Sequence, residues 1–135
     1  MPSPPDALVR LEAGDVAVTV DLQAGARAVS WTVDGVELLA HHADDPVEHG
    51  MYPMAPWAGR LRDNAVAWAG SSHDLPVTYA PWALHGTALR QAAAVVDHEV
   101  TPDLARLVAR IDTHPGWPWP MSVDIEWSLA PTVLT

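Results

Sequence analysis

Apolar and polar residues alternate along much of the chain, and this period of two predicts β-strands. The alternation is most regular in residues 122–129, and residues 15–22 show it as well. Asp34-Gly35 separates two such runs and is a strong signal for a tight hairpin turn. The pattern therefore predicts strands at these positions and at 27–33, 36–38, 65–68, 75–79 and 91–100.

The segment 104–112 fits two patterns. Its apolar residues alternate as in a strand, but a subset of them also forms one face of a helix starting after Thr101-Pro102-Asp103. We predict a strand here. With many short strands, turn signals between them and no convincing helix, the chain is expected to be an all-β sandwich or barrel forming one domain over residues 1–135. The Pro-rich residues 1–6 are expected to be a disordered tail.

Charge and composition narrow the classes of partner. Seven basic residues stand against 17 acidic ones, which gives a formal net charge of −10. Such a chain lacks the basic patch that nucleic acid or an anionic membrane surface requires, so a neutral or cationic small ligand is expected instead. Cysteine is absent, which excludes thiolate chemistry and disulfides. The sequence shows neither a secretory signal nor a membrane-spanning apolar run, so a cytoplasmic location is expected.

Two short segments carry the most chemistry. The irregular loop 51–62, punctuated by Pro and Gly, presents Trp57 and Arg60, and Leu84-His85-Gly86 places a histidine at a turn. Arginine offers fixed donors and tryptophan a flat apolar face, a pair that suits the hydroxyls and C–H faces of a sugar. The alternative is that Arg60 pairs with Asp63 on the surface while Trp57 fills the core.

Other candidates have simpler explanations. Histidines and carboxylates in the acidic loop could ligate a divalent ion, but such loops are more often solvated, and no metal or other cofactor is predicted. Three further tryptophans could extend a sugar-stacking surface or fill the core. The loop residues are His41, His42, Asp44, Asp45, Glu48 and His49, and the tryptophans are Trp82, Trp117 and Trp119.

Taken in order, these segments resemble a known family. P-W-A-G-R-L-R-D (56–63), W-A-G (68–70), L-P (75–76) and A-L-H-G-T (83–87), followed by W-P-W-P-M-S-V-D-I-E-W-S-L (117–129), look like the N-terminal half of the aldose 1-epimerases, or galactose mutarotases. The resemblance extends from about residue 15 onward. It implies a galactose mutarotase-like antiparallel β-sandwich that is incomplete at its C-terminus.

The resemblance also implies a cofactor-free reaction that interconverts the α and β anomers of a free hexose such as galactose or glucose. Arg60 would hold sugar hydroxyls together with Trp57, and His85 would act as a catalytic and substrate-binding residue near the ring oxygen. Gly59 stands where the family usually has Asn. The family's second histidine and its glutamate base have no counterpart, since His114-Pro115 matches only as a dipeptide.

Two alternatives follow from these departures. The chain could be a non-catalytic carbohydrate-binding or sugar-sensing module that retains Arg60 and His85, or a structural β-domain without a ligand. A partial sandwich would also expose strand edges, which predicts self-association.

Overall fold

The computed structural model describes residues 7–41 and 44–131, together with the backbone of residues 133 and 134. The predicted tail 1–6 lies outside the described residues. Helical structure within this part includes two single 3-10 turns, Arg62–Asn64 and Ala88–Arg90, and no helix there is long and apolar enough to cross a membrane. Ten strands make up the rest of the regular structure: β1 Leu8–Ala13, β2 Val16–Asp21, β3 Arg27–Val33, β4 Val36–Glu37, β5 Ala65–Trp68, β6 Ser71–Asp74, β7 Ala94–Thr101, β8 Leu104–Ile111, β9 Val123–Ala130 and β10 Val133–Leu134.

The strands form two four-stranded sheets and one separate hairpin. The first sheet has the order β1-β2-β3-β4, the second β10-β9-β8-β7, and β5 pairs with β6. All of these pairings are antiparallel, which confirms the predicted all-β class. The two large sheets meet where β1 and β2 contact β8 and β9.

The core lies between the two large sheets. Each sheet turns every second side chain inward, as the alternating pattern requires. The indole Nε1 of Trp127 donates to the carbonyl of Ala26 at 2.8 Å and so joins β9 to the turn before β3. Removing these apolar side chains from water supplies the main driving force for folding, about 25 cal/mol per Å² buried. Fully buried members are Leu11, Val18, Val20, Leu107, Ile111 and Leu129.

The segment 104–112 and the β3–β4 hairpin show that the sequence pattern predicted these strands correctly. Residues 104–112 form the predicted strand, because β8 lies between β7 and β9 and its inward residues are buried on the sandwich core. The β3–β4 hairpin also forms, with Asp34 and Gly35 both at positive φ in its turn. Strand period and turn chemistry therefore determined these elements.

The structure differs from the predicted strands at two places, one strand that was not predicted and one that was predicted at the wrong residues. No strand was predicted at β1, yet Leu8–Ala13 pairs with β2 across the Gly14-Asp15 turn and buries Leu11 and Ala13. The strand expected at 75–79 is instead β6, at Ser71–Asp74. Ala69 and Gly70 both adopt positive φ and close a two-residue turn, so the polar residues immediately after them are the ones that pair with β5.

Candidate functional site

The two segments singled out in the sequence lie side by side. Isolated β-bridges join Ala55 to Gly86 and Arg60 to Leu84. The carbonyl of Ala55 also accepts from the amides of Thr87 and Ala88, each at 2.9 Å. This close approach needs a glycine at 86, because its φ is +73° and a Cβ there would collide with the Ala55 carbonyl.

His85 is fixed from both its backbone and its ring. Its amide donates to the carbonyl of Gly59 at 3.0 Å, and the Gly59 amide donates to Nδ1 of the imidazole, also at 3.0 Å. Because Nδ1 accepts a hydrogen bond, the neutral ring carries its proton on Nε2. His85 is thus held as a donor through Nε2, in a half-buried position and with a positive φ of 60°.

Gly59 makes its hydrogen bonds to His85 from a left-handed backbone conformation. Its φ is +72°, and no atom lies within 4 Å of where a Cβ would be. Glycine and asparagine are the residues that adopt this left-handed region most readily. The asparagine expected from the family pattern would therefore fit at this position.

Arg60 is exposed and lies over an aromatic ring. Its guanidinium carbon is 5.0 Å from the centre of the Trp82 ring, and Trp82 is 40% exposed. No ion pair forms between Arg60 and Asp63, so the alternative surface pairing does not occur. The arrangement leaves a cation and an aromatic face next to the loop that carries His85.

Trp57 occupies a different position from the one expected of a sugar contact. It is only 7% exposed, its Nε1 donates to the Ala83 carbonyl at 3.1 Å, and its ring stacks on Trp117 at 5.9 Å between centroids. Its faces are therefore covered by protein. Trp57 joins the two segments of the site on their buried side. The exposed aromatic residue that contacts Arg60 is Trp82.

Asn64 is a structural part of the site that the sequence analysis did not single out. Its Oδ1 accepts from the amide of Ala83 at 2.7 Å, and its Nδ2 donates to the carbonyl of Pro81 at 3.0 Å. It has a positive φ of 51°. The R-D-N-A turn signal after Arg60 was the available clue, since asparagine both tolerates this conformation and bonds to backbone groups.

The ring of Tyr52 packs near the His85 imidazole, and the buried guanidinium of Arg27 packs on the Tyr52 ring. The ring of Tyr52 lies 6.2 Å from that of His85, and the guanidinium carbon of Arg27 lies 4.7 Å from the centre of the Tyr52 ring. Tyr52 donates its hydroxyl to the carbonyl of Val47 at 2.9 Å. Neither Arg27 nor Tyr52 stands in a recognisable motif, so neither was expected here from the sequence.

Arg27 is fully buried, which is unusual for an arginine. Burial lowers the pKa of its guanidinium, while the carboxylate of Asp21 acts in the opposite direction. Nη1 donates to the carbonyl of His49 at 2.7 Å, but Nε and Nη2 have no hydrogen-bond partner within the described residues. Arg27 therefore attaches the 49–52 segment to β3 through one hydrogen bond and one cation–π contact.

Glu126 and the sequence candidate His114 make other contacts. Glu126 accepts from Nη2 of Arg106 at 2.9 Å on the outer face of the second sheet, and this hydrogen bond lowers its pKa. Nε2 of His114 lies 3.2 Å from the Ile111 carbonyl. Over residues 7–41 and 44–131, no three His, Asp or Glu residues are grouped so as to hold a metal ion; His42 lies outside those ranges.

The sequence matches the aldose 1-epimerase family over residues 7–135. The chain belongs to this family. Solved structures share the fold of this aldose 1-epimerase family member. The Slr1438 protein from Synechocystis sp. PCC 6803 superposes with a TM-score of 0.80 at 21% identity, over 98% of this chain and 47% of the other. A galactose mutarotase-like protein from Clostridium acetobutylicum gives 0.78 at 15% identity, over 94% and 43%.

A galactose 1-epimerase from Lactobacillus acidophilus NCFM gives a TM-score of 0.70 at 16% identity, over 97% of this chain and 43% of the other. This family member thus spans less than half the length of the solved structures it matches. A search of curated proteins found no match to it. Identities at this level show a shared mutarotase-like fold and leave the substrate to be argued from the site.

Proposed function

We propose that this chain supplies the sugar-binding part of an aldose 1-epimerase site, and that its substrate is a free hexose such as galactose or glucose. The observation that carries the proposal is the pair of hydrogen bonds between His85 and Gly59, which holds the imidazole with Nε2–H free to donate. Family membership and the mutarotase-like fold support a sugar substrate.

In the proposed reaction, the sugar ring opens and closes again on its other face. A base takes the proton from the C1 hydroxyl, the ring C1–O5 bond breaks, and O5 receives a proton. The open-chain aldehyde rotates about its C1–C2 bond and recloses, with the protons moving in reverse. Nε2–H of His85 would donate to O5 as charge develops there, and the guanidinium of Arg60 would hold neighbouring hydroxyls.

Trp82 would give the sugar its apolar contact. Its ring is 40% exposed and carries the Arg60 guanidinium over one face, so a C–H face of the sugar would stack on the uncovered part of the ring while the hydroxyls meet the guanidinium. Trp57 would act from beneath by keeping Ala83 and the His85 segment against the Arg60 loop.

A non-catalytic sugar-binding module is the second candidate, and one observation favours it. His114, which matches the family pattern only as a dipeptide, contacts the Ile111 carbonyl, and Glu126 accepts a hydrogen bond from Arg106. Each well-placed proton-transfer group contributes about 10²–10⁴-fold to a rate. With His85 alone, we expect the chain to bind hexose and to exchange its anomers slowly.

Anomer exchange and binding, measured side by side, test both candidates. Two-dimensional exchange NMR on glucose and galactose would report turnover above the spontaneous rate, and calorimetry would report binding. Arg60→Ala is expected to abolish binding, His85→Ala to remove any exchange, and Arg62→Ala, an exposed neighbour, to change neither. Binding without exchange would favour the module, and no binding of either sugar would refute both candidates.

A further inference from the structure

Three tryptophans outside the proposed sugar site form an open aromatic box. Trp117 meets Trp119 at 72° with 5.1 Å between centroids, and Trp68 meets Trp119 at 82° with 6.5 Å. Both of these rings therefore stand nearly perpendicular to Trp119. Together with Val66 they line a solvent-open pocket of about 410 Å³.

The fold builds this box from two rigid pieces. Val66 and Trp68 are two residues apart on β5 and so lie on the same face of the β5–β6 hairpin. His73, opposite Val66 on β6, makes an edge-type ring contact with Trp119 at 5.1 Å between centroids. On the other side, prolines at 118 and 120 restrict the backbone around Trp119. The fold thus fixes the positions of the lining side chains without a ligand.

The Trp117 wall is fixed from behind as well. Its ring stacks on the buried Trp57 at 5.9 Å, and the preceding Gly116, at φ +78°, lies against Pro76. Contacts with the rest of the protein therefore fix the orientation of the Trp117 ring. Trp68 itself is 66% exposed.

The lining selects for one class of ligand. All four lining side chains are Val or Trp, which provide no hydrogen-bond acceptor and no charge. A sugar or a primary ammonium would find no hydrogen-bond acceptor among these side chains for its hydroxyl or N–H groups. A quaternary ammonium has no N–H to satisfy, and its positive charge is attracted to the faces of aromatic rings, tryptophan above all.

The net charge of the chain favours a cation over an anion as the ligand of this box. The two segments that form the box, residues 65–74 and 112–121, contain no arginine, and the chain carries a formal net charge of −10. Asp74 pairs with Ala65 and so lies on the hairpin face opposite Val66 and Trp68, whereas His73 lies on their face. We propose that the pocket lined by Val66, Trp68, Trp117 and Trp119 binds a small quaternary ammonium compound of the choline and betaine class. This site does not rest on the proposed sugar site, although its Trp117 wall contacts Trp57 on the buried side of that site.

Choline and its neutral carbon analogue, 3,3-dimethylbutan-1-ol, give a direct test because they differ in charge and hardly in shape. Titration followed by tryptophan fluorescence and by the indole N–H signals in NMR is expected to show choline binding at least about tenfold more tightly, the equivalent of one good cation–π contact. Affected signals should be those of Trp68, Trp117 and Trp119.

Paired variants separate this site from the sugar site. Trp68→Leu should abolish choline binding and leave hexose binding intact, Trp68→Phe should restore part of the choline affinity, and Trp82→Leu should do the reverse of Trp68→Leu. Because Trp68 is exposed, its replacement is not expected to unfold the chain. Equal affinity for the neutral analogue, binding of methyl glucoside at these indoles, or no choline binding would each overturn the proposal, whatever the result with hexose.

Discussion

The amide of Gly59 donates to Nδ1 of His85 at 3.0 Å, and the amide of His85 donates back to the carbonyl of Gly59 at the same distance. Residues 26 positions apart in sequence are thus joined by two hydrogen bonds that fix both the backbone and the ring of the histidine. The consequence is chemical as well as structural, since the ring nitrogen left free is the one that carries the proton.

This contact predicts the tautomer of His85. At a pH where the ring is neutral, long-range ¹H–¹⁵N correlation spectra should show the proton on Nε2 and none on Nδ1. His98, which is exposed on β7, provides an internal comparison. A signal from protonated Nδ1 in neutral His85 would contradict the role assigned to Nε2–H.

Gly86 should be far more sensitive to substitution than a glycine in an open turn. Gly86→Ala places a Cβ against the Ala55 carbonyl at a positive φ, so we expect it to lower the free energy of unfolding by at least about 2 kcal/mol. Gly35→Ala is the matched control, because Gly35 has a similar φ of +76° and open space around it, and should cost about 1 kcal/mol. Urea unfolding of both variants measures the difference, and equal losses would refute the packing argument.

Tyr52 is expected to matter for its ring more than for its hydroxyl. Tyr52→Phe keeps the ring between Arg27 and His85 and loses only the hydrogen bond to Val47, so it should bind hexose with nearly normal affinity and lose about 1 kcal/mol of stability. Tyr52→Leu removes the wall beside the imidazole and should weaken hexose binding severalfold. Calorimetry on the two variants tests this, and equal hexose affinities would show that the ring does not position His85.

Glu37 should make stability depend on acid pH. Burial disfavours its charge, but hydrogen bonds from Ser30 Oγ and from the amides of Leu39 and Trp31 outweigh burial and lower its pKa to about 2. A carboxylate whose pKa is lower in the folded state stabilises above its ordinary pKa, which is 4.5, and loses this contribution as the pH falls toward 2.

The corresponding measurement compares wild type with Glu37→Gln. At pH 6 the wild type should be more stable by about 1 kcal/mol after allowance for solvent screening, and the difference should vanish near pH 2. Glu12→Gln, which removes an exposed carboxylate paired with Arg10, is the control and should change little. A wild-type advantage that does not shrink as the pH falls would contradict the explanation.

The strand pattern was readable from the sequence wherever one face of a strand is buried and the other is exposed. In β9, Trp127 and Leu129 face the core while Asp124 and Glu126 pair outside with Arg110 and Arg106. The pattern failed at β6, because Ser71–Asp74 is a hairpin strand with exposed polar residues at most of its positions. Local alternation cannot reveal a strand that buries so little.

For the candidate site, too, some features could be predicted from the sequence and others depend on the tertiary structure. The sequence by itself placed Arg60 and His85 in turns, because glycine and proline mark such turns locally. Self-association and the identity of the sugar remain predictions. Only the tertiary structure decided that Gly59 bonds to His85, that Trp57 is buried while Trp82 is exposed, and that Arg27 and Tyr52 support the imidazole. These relationships join residues distant in the chain, and hydrogen-bond partners and burial depend on which segments the fold brings together.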